Sequence, residues 1–194
     1  MAEFHPRQII GKWREGYALD VHTVSSIPIG HNEFGHMQFE TTRSAVGELL
    51  FRLKNRGDRK VVDELADTAV TFLQQWNPGI DIIVPVPASN ARTVQPVALV
   101  ATAISARVGV PLEDCITKTR KERQLKNVFD LDERLKILDG LHAVNAAKIA
   151  GRRVLLFDDL YRSGATMNSV TALLLKQRAE EVFALAITRT RSFR

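Results

Sequence analysis

A single cysteine, Cys115, in 194 residues excludes an internal disulfide and any multi-cysteine zinc site. No apolar run approaches the ~20 residues that a membrane-spanning helix requires. The opening MAEFHPRQII lacks the apolar core and small-residue cleavage site of a signal peptide, which predicts a cytoplasmic location. Two nucleotide-binding signatures, GxxxxGK(S/T) and GxGxxG, are missing, and Tyr161 stands where the GxSxG hydrolase elbow needs glycine. His22, His31 and His36 lack the HExxH spacing and have no cysteine beside them, so they read as loop histidines, not metal ligands. Repeats, low-complexity tracts and a clear interdomain linker are absent as well.

The composition is that of an ordinary folded protein, with 45% apolar and 25% charged residues. At ~150 residues per domain the length predicts one domain with a modest extension. The net charge of +5 is unevenly spread. Arg52–Lys60 and Lys118–Asn127 each carry +4 and the Arg189, Arg191, Arg194 tail adds +3, leaving the rest of the chain at −6. Localised cations of this kind attract phosphates, whether of a metabolite or of nucleic acid, or form a solvated face. Without interleaved aromatics or a recognition-helix pattern, any nucleic-acid binding is expected to be weak and unspecific.

Apolar spacing predicts a helix over Thr42–Lys54, ended by Asn55 and Gly57, and a second one capped by Asp58 whose stripe runs from Val61 to Trp76. IDIIVPV, residues 80–86, is apolar on both faces and predicts a buried parallel strand. A helix over Val94–Val108 follows. Short strands are expected at Asp114–Thr117 and Leu141–Val144, with a charged loop and a helix near Asp132–Leu138 between them. Arg153–Phe157 reads as a strand, Thr166–Arg178 as a helix and Val182–Thr188 as a last strand. Strands alternating with helices imply an α/β fold, a mainly parallel sheet flanked by helices. Residues 1–41 are expected to be an extension, an edge hairpin or a lid, and 42–194 the α/β domain.

Chemistry concentrates in Val154–Thr166, VLLFDDLYRSGAT. An apolar strand runs into two consecutive acids, Asp158 and Asp159, and a Ser-Gly-Ala-Thr turn opens a helix. This puts carboxylates at the carboxyl end of a parallel strand beside the backbone N–H groups of a helix N-terminus, where α/β proteins bind ligands. The acids suit hydroxyls or magnesium, and the turn suits a phosphate. Gly164 permits close approach of the main chain, while Ser163 and Thr166 add hydroxyl donors. Asp130 and Asp132, with no apolar strand ahead of them, read as solvated.

The same thirteen residues resemble the phosphoribosyl pyrophosphate (PRPP) signature of type I phosphoribosyltransferases. FRLKNRGDRKVVDELA, VPVPASNAR and KTRKERQLKN extend the likeness over about 49–189 and resemble the ComF-like, amidophosphoribosyltransferase-related branch, although the four-cysteine zinc ribbon that often accompanies ComF-like domains cannot be built here. The resemblance implies the type I phosphoribosyltransferase fold and Mg²⁺-dependent transfer of phosphoribosyl from PRPP to a nitrogen acceptor, releasing pyrophosphate. It implies Asp158 and Asp159 as catalytic residues, with Mg²⁺ held through PRPP or by these acids. It further implies Arg162, Ser163, Gly164, Ala165 and Thr166 around the 5′-phosphate. Ser89, Asn90, Arg92, Lys118 and Arg120 would face the diphosphate, with Lys118–Asn127 as a closing loop, and Leu160 and Tyr161 would border the acceptor. Arg162 stands where many relatives have threonine and purine-salvage enzymes an acid; an arginine there cannot act as a general base. A homodimer is common in the resembled family. The alternative is a catalytically weak PRPP-sensing or DNA-uptake and repair accessory protein of ComF type.

Overall fold

Val154–Phe157 and Val182–Ile187 are apolar at every position but small alanines, so both faces of these strands need cover. The computed structural model, which describes residues 1–88, 95–119 and 140–191, supplies it. In chain order the elements are β1 (Arg7–Gln8), β2 (Glu15–Val21), β3 (Thr23–His31), β4 (Met37–Arg43), α1 (Ala45–Arg56), α2 (Val62–Trp76) and β5 (Ile82–Pro85). There follow α3 (Pro96–Val108), β6 (Ile116–Lys118), β7 (His142–Val144), β8 (Arg153–Tyr161), α4 (Ala165–Lys176) and β9 (Glu181–Arg189). The central sheet has the order β1-β2-β9-β8-β5. Among the described residues, β1 alone in this sheet is antiparallel to its neighbour. Leu50, Leu65 and Ile104 from α1, α2 and α3 pack with Leu155 and Leu185 on one face. On the other, Met167, Val170 and Leu174 of α4 pack with Leu156 and Ala184. The α/β expectation, a mainly parallel sheet flanked by helices, is met.

Local chemistry sets the helix ends. Ser44 caps α1 by accepting from Gly47 N at 3.0 Å, and Gly57 closes it in the left-handed region. Asp58 caps a 3-10 turn, Arg59–Val61, that leads into α2, and Asn77 ends α2 at φ 48°. Pro96 opens α3 and Gly109 ends it. Elements whose sequence period was clear therefore lie within a few residues of expectation.

Three features differ from the sequence reading in placement. β8 runs four residues past Phe157, because its pairing with β9 continues to Leu160↔Thr188 and Tyr161↔Arg189; the acids are ladder residues near the strand end. β6 starts at Ile116 and joins β7 in a separate antiparallel pair, Ile116↔Val144 to Lys118↔His142, outside the parallel sheet. Residues 1–41 divide in two: β2 lies inside the central sheet, parallel to β9, whereas β3 and most of β4 form a projecting hairpin. The expected helix near Asp132–Leu138 and the Asp130–Asp132 segment lie outside the described residues.

Candidate functional site

The parallel strands β2, β9 and β8 end together, and their carboxyl edge gathers the polar residues. Asp158 and Asp159 are adjacent on β8, so their side chains leave on opposite faces of the sheet. Asp159 points to the α1 side, where Lys54 Nζ lies 2.8 Å from its Oδ2. Its backbone N–H donates to Asp158 Oδ1 at 2.8 Å. Burial, then the neighbouring Asp159 carboxylate, pushes the Asp158 carboxyl up to about 8, against smaller opposing effects of that N–H and of Lys54. The pair is thus asymmetric, with an ion-paired Asp159 and an Asp158 that holds its proton near neutral pH.

Beyond Tyr161 the chain turns through Arg162, Ser163 and Gly164 into α4. Gly164 has φ 72°, and a Cβ there would sit 2.7 Å from ring atoms of Tyr161, so only glycine fits on both counts. Among the described residues, no side chain caps α4 by a hydrogen bond. Ala165 N lies 3.5 Å from Ser163 Oγ, at the limit of a hydrogen bond, so the first turn's amides remain available to an anion. The turn is braced from behind by the N-terminal segment. Trp13 packs edge-on against Tyr161 with ring centroids 6.2 Å apart, Tyr161 Oη donates to Ile10 O at 3.2 Å, and Lys12 N donates to Asn168 Oδ1 at 2.8 Å. Arg162 is exposed, and its carbonyl accepts from Thr190 Oγ1 at 3.5 Å.

Asp158, Asp159, Arg162, Ser163, Gly164, Ala165 and Thr166 therefore lie together at one strand-turn-helix junction. Leu160 and Tyr161 border it, but Tyr161's ring is committed to Trp13 and the Gly164 turn. Lys118 ends β6 and is partly buried. Ser89, Asn90, Arg92 and Arg120, with almost all of the Lys118–Asn127 segment, fall outside the described residues. Sequence reasoning placed Lys54 in a cationic cluster and read His22 as a loop histidine, and it assigned neither to the acids. Val46, Leu50 and Lys54 follow one another at i, i+4 spacing along the rim of the apolar stripe, and a cation there was the available signal. His22, one residue past β2, has Nδ1 3.2 Å from Thr188 Oγ1. Burial, with the charges of Arg43 and Lys54, holds its imidazole below its ordinary range, against smaller opposing effects of Asp159 and Glu48. A cavity of ≈ 450 Å³ opens along the same carboxyl edge, lined among others by His5, Arg7, Asp20, Ser44 and Arg191.

Residues 61–192 match the family model of the phosphoribosyl transferase domain. The chain belongs to this family. A curated relative, competence protein ComFC of Bacillus subtilis (strain 168), is 26% identical over 152 residues, which cover 77% of this chain and 62% of that protein, and it supports the ComF-like branch. The glutamine PRPP amidotransferase from B. subtilis, complexed with ADP and GMP, shares the fold at TM-score 0.52 and 18% identity, covering 80% of this chain and 34% of that one. Adenine phosphoribosyl transferase from Trypanosoma brucei, in complex with AMP, pyrophosphate and ribose-5-phosphate, does so at TM-score 0.52 and 13% identity, with coverages of 96% and 75%. This phosphoribosyl transferase domain thus spans less than two thirds of the length of ComFC and a third of the amidotransferase. The matched stretch includes the β8-turn-α4 junction. No helix among the described residues is long and apolar enough to cross a membrane.

Proposed function

We propose that this domain binds PRPP with Mg²⁺ and transfers the phosphoribosyl group to a nitrogen acceptor, releasing pyrophosphate. The observation that carries the reading is the acidic pair set against the uncapped, glycine-entered N-terminus of α4. In the transfer the bond from ribose C1 to the diphosphate breaks with its electron pair, and the acceptor's lone pair forms the C1–N bond as its proton leaves to solvent. C1 gains positive character on the way, so positioning and electrostatics carry the chemistry. The α4 turn, from Arg162 to Thr166, holds the 5′-phosphate through backbone N–H groups and the hydroxyls of Ser163 and Thr166. Asp158 and Asp159 hold the ribose hydroxyls, which fixes C1 relative to the phosphate anchor.

The donor set fits Mg²⁺, which takes one or two carboxylate oxygens and completes its shell with water and phosphate oxygens. When bound, the ion neutralises charge that develops on the departing diphosphate. Ser89, Asn90, Arg92, Lys118 and Arg120 are assigned to the diphosphate on resemblance. The cavity lined by Asp20, Arg7 and Arg191 shares the strand edge with the acids, which supports a small polar acceptor approaching from the β2 side. The experiment is titration calorimetry with PRPP and Mg²⁺, followed by a pyrophosphate-release screen over amines and bases. Asp158→Asn with Asp159→Asn is expected to abolish Mg²⁺-dependent PRPP binding while far-UV circular dichroism stays unchanged. Unaltered affinity in the double variant overturns the assignment. Binding by the wild type without release for any acceptor favours a PRPP-sensing accessory role.

A further inference from the structure

Of the Arg52–Lys60 cluster, Lys54 is the side chain that reaches the acids. Arg52 is paired with Asp58 at 2.6 Å, and Arg56 lies 5.4 Å from the Phe51 ring centroid. Lys54 and Asp159, by contrast, meet at 2.8 Å with side chains only 23% and 15% exposed. The helix that presents Lys54 is seated firmly. Ser44 caps it and donates its own Oγ hydrogen to Val21 O at 2.6 Å, tying α1 to the end of β2. Gly47 lies so close to the His22 carbonyl that a Cβ would sit 2.2 Å from the oxygen, so α1 rests directly on the strand edge. Two turns later Lys54 enters the site from the side opposite the α4 turn.

A carboxylate and an adjacent carboxyl group without a counter-charge are a donor set for a hard divalent cation. An ammonium hydrogen-bonded to one of them removes a full negative charge and repels an incoming metal ion, and this repulsion acts strongly where water is largely excluded. A ligand that carries its own anionic groups to the metal escapes the penalty. We propose that Lys54 is the positioning residue of the acidic pair, the standing counter-cation of Asp159, which fixes that carboxylate for ribose and keeps free divalent metal off the pair until metal arrives with the diphosphate. This rests on the PRPP reading above for its second half; the exclusion of free metal does not.

The test separates the two. Mn²⁺ alone is titrated into the full chain, followed by water-proton relaxation, and PRPP is titrated separately at saturating Mg²⁺ by calorimetry. Wild-type protein is expected to take up no Mn²⁺ tightly without PRPP. Lys54→Met, which keeps the apolar stem and loses the charge, is expected to bind Mn²⁺ at least about tenfold more tightly and PRPP at least about tenfold more weakly, as expected when one partner of a shielded ion pair is removed. Lys54→Arg should restore both values toward wild type, which a mere change in packing would not do. Lys54→Gln, uncharged but able to donate to Asp159, replaces the Met variant if that one does not fold. Tight Mn²⁺ binding by wild type, or equal Mn²⁺ affinity in wild type and the uncharged variant, overturns the proposal. Wild type that binds no PRPP defeats the phosphoribosyl reading and leaves the Mn²⁺ comparison to decide the role of Lys54 in excluding metal.

Discussion

Asp158 and Asp159 are adjacent and chemically alike, and their surroundings give them different charges. Alternation along β8 turns Asp159 to α1 and Lys54, while Asp158 stays shielded and accepts from the Asp159 amide, so desolvation dominates and raises its carboxyl to about 8. The consequence for stability follows from linkage. Below about pH 4 the residue is protonated in both folded and unfolded chains. Between there and the folded value the unfolded chain releases the proton freely while the native chain does not, so Asp158 costs stability progressively as pH rises from about 4 to about 8. Asparagine mimics the protonated form in shape and cannot ionise. Asp158→Asn is therefore expected to melt within a degree or two of wild type near pH 4.5 and several degrees above it near pH 8.5 (about 2–4 °C per kcal/mol at this size), as measured by parallel thermal melts across the range. Equal melting differences at both ends would mean that Asp158 is ionised in the native protein. A stabilising substitution at a residue assigned to ligand binding is the expected signature of a site that gives up stability for function.

The element that matters most is the β8-turn-α4 unit, in which a strand delivers two acids and a single left-handed residue redirects the chain to expose α4's first amides. Gly164 carries that redirection. Gly164→Ala places a Cβ against the Tyr161 ring and forces φ 72° on an L-residue, with an expected loss of about 1–3 kcal/mol and PRPP affinity falling beyond what the lower stability explains. Tyr161→Ala in the same background should recover part of the stability by removing the clash but not the strained φ, so a double-mutant cycle reads the two contributions apart. This unit was legible in the sequence because its signals are local: an apolar run, paired acids, then Gly inside a Ser/Ala/Thr turn. β8's extra length was not legible, since the residues Asp158 to Tyr161 look polar or turn-like alone and become strand only by pairing with Thr188 and Arg189, 28 positions along the chain. Lys54 was hidden for a related reason. A lysine on a helix rim reads as solvated until the fold sets a carboxylate from 105 residues away at its tip.

At the scale of the molecule, the same distinction divides residues 1–41. β2 was illegible as a core strand because Glu15, Gly16, Tyr17 and Asp20 break the apolar run; yet Ala18 and Leu19 are fully buried, and β2 pairs in parallel with β9 along most of its length. The parallel partner lies at the opposite end of the chain, so no local pattern could announce it. The β3–β4 hairpin is the reverse case. Of the nine large apolar side chains exposed among the described residues, six (Val24, Ile27, Ile29, Phe34, Met37 and Phe39) lie on it, and little of the core depends on them. If residues 1–41 were one detachable extension, changes in either part would be tolerated alike. The fold predicts otherwise. Leu19→Ala should lose about 2–5 kcal/mol, which at this size lowers the melting temperature by roughly 5–15 °C. Replacing Pro28–Phe39 by Asn-Gly would join the paired residues Ile27 and Glu40 through a two-residue turn, and the shortened protein should melt close to wild type and keep its PRPP affinity. Differential scanning calorimetry of the two variants beside wild type decides the matter: a large loss on shortening the hairpin would show that β3 and β4 support the sheet, and no loss for Leu19→Ala would show that β2 does not.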